Sequence, residues 1–191
     1  MRLPESIEKE IIQRVANDQA EMMIVQPKPE DGYHPAIRKV HEENASFLKD
    51  VLDEYGLITV TITSKKVVEA AFIIIQHAIS KPTFMKECLG LMKVSSNVDP
   101  VHIAYLTDRI LTLTGQPQHY GTQFDYDHDG YMKCLPLDAP REEVNQRRFA
   151  IGLSSLEENE QRFIHQKPIT PELAKQRYKD MQAWLKETGW I

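Results

Sequence analysis

Residues 64–80 constrain the fold more than any other stretch of the chain. Val67, Val68, Ala70, Ala71, Phe72, Ile73, Ile74, Ile75, Ala78 and Ile79 leave almost no polar side on a helix of that length. A helix that is apolar all round must be surrounded by other elements. The run is too short to span a bilayer and contains Gln76 and His77, so it reads as the central helix of a water-soluble core.

The flanking sequence supplies the helices that would cover it. Residues Glu5–Val25 form an amphipathic helix with Ile7, Ile11, Val15 and Met22 on its apolar face, stopped by Pro27 and Pro29. Pro35–Tyr55 forms a second, with a stripe of Ile37, Val40, Leu48, Val51 and Tyr55 and a terminating Gly56. Residues 57–63, LITVTIT, are β-branched and suit a short strand or an extended lead-in, with Thr63 or Ser64 as a cap. Pro82–Val94 is a fourth helix, and Asp99-Pro100 opens a fifth, to about residue 114.

After the Gly115-Gln116-Pro117 break the pattern changes. Residues 118–124 read as a strand entering a hairpin that ends near residue 135, with Asp129-Gly130 in its turn. The same stretch partly matches a calcium loop, D-x-D-x-D-G from Asp125, but Pro136 stands where the bidentate Glu belongs. The hairpin is the reading adopted. Helices at 141–153, 154–165 and 171–187 complete the chain, with Trp184 and Trp190 anchoring the last. The expected architecture is mainly α: residues 1–191 as a single-domain helical bundle with one small β-hairpin.

Four helices carry a polar residue inside the apolar stripe. At about 100° per residue, Asp18, Asn44, Asp108 and Arg148 project among apolar neighbours. Gln76 and His77 sit in the most apolar helix. An isolated buried charge costs several kcal/mol, roughly, so such groups should meet one another or a ligand. Residues 104–124 add Arg109, Gln118, His119, Tyr120 and Gln123 in one short passage. The expectation is one shared interior pocket holding Asp18, Asn44, Gln76, Asp108, His119 and Arg148. A closed network that only fixes the packing is the competing reading.

Several chemistries are argued against by what the sequence lacks. A net charge of −5, with 23 basic and 28 acidic residues interspersed, offers no basic stripe for nucleic acid. Cys88 and Cys134 are far apart and read as reduced thiols of a cytoplasmic protein. The N-terminal MRLPESIEKE has no apolar run of the signal-peptide kind. No G-x-S-x-G elbow, phosphate loop or dinucleotide fingerprint occurs. His77, His119 and Asp18 or Asp108 would make a two-histidine, one-carboxylate metal set, but their spacing does not select for it, and no metal or other cofactor is expected to be required. What remains is acid/base chemistry.

The same residues carry a resemblance. Gln76-His77, then AYLTDR at 104–109, then GQPQHYGTQ at 115–123, then Arg147-Arg148 before Gly152-Leu153 resemble the signature of a bacterial family of uncharacterised proteins. The likeness runs from Asp18-Gln19 to Leu156 and implies no particular reaction. It departs at Met22, where the family pattern has Arg, and at Leu57-Ile58, where it has Trp-Pro after the glycine.

The functional expectation is a small-molecule enzyme of hydrolase or lyase type acting on a polar, anionic substrate. His119, His77 and Asp108 would carry the chemistry. Asp18, Asn44, Gln76, Arg109, Gln118, Tyr120, Gln123 and Arg148 would bind. The alternatives are a non-catalytic ligand-binding or interaction module whose polar cluster is structural, and the metal site above. No nucleic-acid or membrane partner is expected.

Overall fold

A computed structural model describes residues 2–191. Its regular elements, among the described residues, are eight α-helices and one two-stranded antiparallel hairpin, so the chain is mainly α. No helix among them is long and apolar enough to cross a membrane. The chain divides into two compact units, Met1–Val98 and Asp99–Ile191, and each is described by itself.

The first unit is built on helices α1 (Glu5–Val25), α2 (Pro35–Tyr55), α3 (Lys65–His77) and α4 (Pro82–Val94). The first three pack pairwise on one another, and α4 packs on α3. Val67, Ala70, Ala71, Ile74 and Ile75 of α3 are buried, against Ile11 and Val15 of α1 and Ile37, Leu48 and Val51 of α2 in the same core. Met22, expected on the α1 apolar face, is 39% exposed. The chain leaves α1 through Gln26, a non-glycine residue at φ 44, which Pro27 follows.

Two expectations for this unit are corrected. Of the two readings of residues 57–63, the strand does not form: the segment is irregular with a turn at 60–62, where the Thr59 carbonyl accepts from the backbone N–H groups of Ile62 and Thr63. The run is β-branched but is given no partner strand. Helix α3 ends at His77 rather than near residue 80. Pro82 sets an outer bound, because the residue before a proline is driven out of the α region, and Lys81 sits at φ −124, ψ 69. The helix stops short of that bound, with Ala78 already out of the helix at φ −73, ψ 34.

The second unit contains α5 (Pro100–Leu113), the hairpin β1 (Phe124–Tyr126) and β2 (Met132–Cys134), α6 (Arg141–Ala150), α7 (Leu156–Glu160) and α8 (Pro171–Thr188). The hairpin register pairs Phe124 with Cys134, Asp125 with Lys133 and Tyr126 with Met132. Asp127 shapes the turn: its carboxylate accepts from the N–H groups of Asp129 and Tyr131 at 3.0 and 2.9 Å. Gly130, at φ 86, brings its backbone against Ile169 so closely that a Cβ would lie 1.9 Å from the Ile169 carbonyl oxygen. Side-chain contacts bind the remaining pieces. Arg177 of α8 reaches Asp125 of β1 at 3.2 Å. Arg141 of α6 bridges Glu157 and Glu160 of α7. Phe124 stacks on Phe163.

The strand expected at 118–124 does not form: β1 begins only at Phe124 and runs on to Tyr126. Gln118 makes only an isolated bridge to Leu137, and 119–123 are irregular. The helix expected at 154–165 is α7 followed by a single 3-10 turn, Gln161–Phe163.

Candidate functional site

The polar interruptions are buried: Asp18 is 1% exposed, Asn44 4%, Gln76 7%, Asp108 0% and Arg148 1%. They fall into two sets, Asp18, Asn44 and Gln76 with His77 in the first unit, and Asp108 and Arg148 with His119 in the second.

In the first unit Asp18 is the centre. Its Oδ1 meets His41 Nε2 at 2.9 Å and its Oδ2 meets His77 Nδ1 at 2.5 Å. Each of the three residues stands on its own helix, α1, α2 and α3. Burial alone would raise the Asp18 carboxyl. The hydrogen bonds from His41 and His77 outweigh it and hold the group well below the usual carboxylate range. An ionised carboxylate only accepts, so both facing ring nitrogens carry hydrogen. In the neutral His41 ring the other nitrogen, Nδ1, then accepts from the Tyr33 hydroxyl at 2.7 Å. The His41 and His77 rings lie 4.7 Å apart between centroids.

The two histidines differ in exposure. The His41 side chain is 8% exposed and that of His77 34%. Among the described residues His77 Nε2 has no hydrogen-bond partner. One turn back on α1 and one turn on along α2, Arg14 donates to the Asn44 side-chain amide oxygen, Oδ1, at 3.3 Å. Gln76 is buried beside His77 in sequence.

The second unit holds the other set differently. Asp108 accepts from three backbone N–H groups, His119 at 2.8 Å, Tyr120 at 3.1 Å and Thr122 at 3.0 Å, and from the Thr122 hydroxyl at 3.0 Å. Burial pushes its carboxyl up, and these donors pull it back part of the way. Arg148 works from the other side: Nε donates to the Ser154 carbonyl at 2.6 Å and an Nη to the Tyr120 carbonyl at 2.5 Å. Gln118 donates to the carbonyls of Gln123 and Leu135 at 3.0 and 2.9 Å and accepts from the Gln123 N–H at 2.9 Å. Arg109 Nε donates to the Gln123 side chain at 3.2 Å. Thus Asp108, Gln118 and Arg148 together clamp the backbone of the 118–123 loop.

Asp108 and the His119 ring, both expected to carry the chemistry, do not pair with each other: Asp108 takes the His119 backbone N–H instead. The carboxylate at the His119 ring is that of Asp138, which also takes Arg147 at 2.8 Å. Arg147 donates in addition to the His119 carbonyl at 2.9 Å. His119 is nearly half exposed, its side chain at 47%. Tyr120 lies edge-on to that ring.

His41, Tyr33 and Asp138 were not among the residues singled out from sequence. His41 had a signal: Ile37, His41, Asn44, Leu48 and Val51 are spaced 4, 3, 4, 3, and the stripe passes through His41 rather than Val40. Asp138 had none, since it lies in an irregular segment. The cysteines are inert near neutral pH, because burial pushes the Cys88 thiol up to about 12 and the Cys134 thiol up to about 11. A cavity of about 450 Å³ beside Tyr126, His128, Lys175 and Tyr178 takes in none of the expected site residues.

Chemically, a buried carboxylate hydrogen-bonded to an imidazole that is one-third exposed is compatible with proton transfer. Two histidines and a carboxylate whose donor atoms lie within 4.8 Å of one another are also a set of metal-ligand type. Comparison with curated proteins and with solved structures returns no match. A family model does match, over residues 9–166, which is most of the chain, and the protein therefore belongs to a family of unknown function (DUF6624).

Proposed function

We propose that the protein is a small-molecule enzyme of hydrolase or lyase type, in which His77 carries the proton and Asp18 positions it. The observation that supports this most is the 2.5 Å bond from His77 Nδ1 to a carboxylate that is itself 1% exposed. It fixes the tautomer with Nε2 as the free basic nitrogen. It also leaves that nitrogen on the more open of the two rings. His41, itself bonded to the Tyr33 hydroxyl, holds the other Asp18 oxygen. Placement on three packed helices gives the group a rigid frame. Arg14, one turn before Asp18 with its side chain 27% exposed, is the cation nearest in sequence that an anionic substrate would meet.

A second reading puts the proton carrier at His119, with Asp138 as its carboxylate. The half-exposed His119 ring favours it. One experiment separates the two. Turnover is screened on a panel of small esters, amides and phosphate esters, in parent protein and in His77→Gln and His119→Gln variants. Glutamine at 77 can still donate to Asp18 but carries no proton at neutral pH. His77→Gln is expected to melt within a few degrees of the parent and to lose turnover by a factor of about a hundred or more. Turnover that survives His77→Gln and disappears in His119→Gln would transfer the role to His119.

A further inference from the structure

We infer that Asp18, His41 and His77 also bind a single divalent transition-metal ion of the zinc type, and that this ion withdraws His77 from proton transfer. The binding part stands on geometry alone; the consequence for proton transfer rests on the function proposed above.

The donor atoms of the three residues lie within 4.8 Å of one another. Zinc sits about 2.0–2.2 Å from nitrogen and oxygen donors, so tetrahedral donors lie roughly 3.3 Å apart. The observed separations to Asp18, 2.9 Å from His41 and 2.5 Å from His77, lie within about 1 Å of that value. Three protein ligands leave the fourth position for water, the pattern of open zinc sites. Two imidazoles with one carboxylate suit zinc, cobalt or ferrous iron better than calcium or magnesium, which take oxygen ligands.

A second observation points the same way. Tyr33 Oη lies 2.7 Å from His41 Nδ1, on the ring nitrogen turned away from Asp18. Histidine ligands of metals characteristically use their outer nitrogen in such a bond, which fixes the ring. The protons balance. On metal binding the proton on His41 Nε2 moves to Nδ1, and Tyr33 changes from donor to acceptor. The proton on His77 Nδ1 moves to Nε2. Neutral rings release nothing to solvent, and a protonated ring releases one proton each. The ion then occupies the His77 lone pair that faces Asp18, and Nε2 holds a hydrogen it does not readily give up. Metal-loaded protein thus lacks the free base.

The test uses the full chain, stripped with a chelator and titrated at neutral pH with cobalt(II), whose visible absorption reports coordination, and with zinc by calorimetry. The expected result is one equivalent of either ion. Asp18→Asn and His41→Asn are expected to weaken binding a hundredfold or more, and Tyr33→Phe by about tenfold or more. Tyr33→Phe removes no ligand, so it remains informative if a ligand variant fails to fold. As a further readout, zinc should shift the imidazole NMR signals of His41 and His77 and leave those of His128 and His165 in place. Absence of binding, or unchanged binding in both His41→Asn and Tyr33→Phe, overturns the inference. The two readings fail separately. Turnover that needs His77 with no metal bound to any form removes the ion and keeps the proton carrier. One bound ion together with turnover indifferent to His77 does the reverse.

Discussion

Asp108→Asn tests the reading that a carboxylate holds the YGTQ loop. Asp108 receives four donors: the N–H groups of His119, Tyr120 and Thr122 and the Thr122 hydroxyl. Asparagine keeps one oxygen, which can serve His119 and Tyr120. Its NH2 would then face the Thr122 N–H, donor against donor. Hydrogen bonds to charged groups contribute about 1.5–3 kcal/mol each. Losing the Thr122 N–H bond outright and weakening the other two gives a cost of roughly 2–4 kcal/mol. For a chain of this size each kcal/mol moves Tm by about 2–4 °C, so a drop of roughly 4–16 °C is expected by circular dichroism. Thr122→Val, which removes only the hydroxyl, should cost about 0.5–1.5 kcal/mol. Amide exchange should accelerate at residues 119–122 in particular. Burial pushes the Asp108 carboxyl up, and that supplies the refutation. Were the group protonated at pH 7, asparagine would be a close replacement. A Tm within about 2 °C of the parent would show that a charged acceptor is not what organises the loop.

Two further predictions concern the second unit. Gly130→Ala combines a positive φ of 86 with a Cβ placed 1.9 Å from the Ile169 carbonyl oxygen, so urea unfolding should report a loss above about 2 kcal/mol; Gly189→Ala, at φ 79 in open space, should lose only about 1–2 kcal/mol. At Asp138 burial raises the carboxyl, but hydrogen bonds from Arg147 and His119 pull it below its ordinary value. A depressed folded pKa stabilises above the unfolded value, about 3.9, and that contribution fades as pH falls through the folded value. Asp138→Asn should therefore melt below the parent at pH 6, with a gap that closes as pH approaches 3. A gap that widens on acidification would reverse the assignment.

The helix ends that the sequence reveals are those set by residues at the end itself. Pro27 after α1, Gly56 after α2, and Pro82 and Pro100 at the starts of α4 and α5 each act within one or two positions. The end of α3 has no such marker: Pro82 restricts only Lys81, and the chain has already left the helix at Ala78. The stretch 118–124 has the aromatic and β-branched content of a strand. Three of its backbone donors, those of His119, Tyr120 and Thr122, go instead to Asp108, a residue ten or more positions earlier. Periodicity cannot register that diversion, because it reports which face is buried and not what receives the N–H groups.

The polar interruptions were legible as buried and illegible as to partner, and the difference has a physical basis. A helical stripe fixes only the direction in which a side chain points. Asp18 points at two helices that present histidines, and the result is a cluster of side chains hydrogen-bonded to one another. Asp108 and Arg148 point at an irregular loop, which has no ladder of its own to satisfy its amides. Their charges complete backbone hydrogen bonding at the N–H groups of His119, Tyr120 and Thr122 and at the carbonyls of Tyr120 and Ser154. The sequence distinction lies in what surrounds the target. An interrupted stripe flanked by a Gly-x-Pro break and a glycine-containing loop, as at 115–121, will tend to serve the loop. An interrupted stripe on a helix between two unbroken helices, as at Asp18, has only side chains to meet. On that criterion Asp18 was the stronger candidate for chemistry, and His41, one position from the residue assigned to the α2 stripe, was the partner to seek.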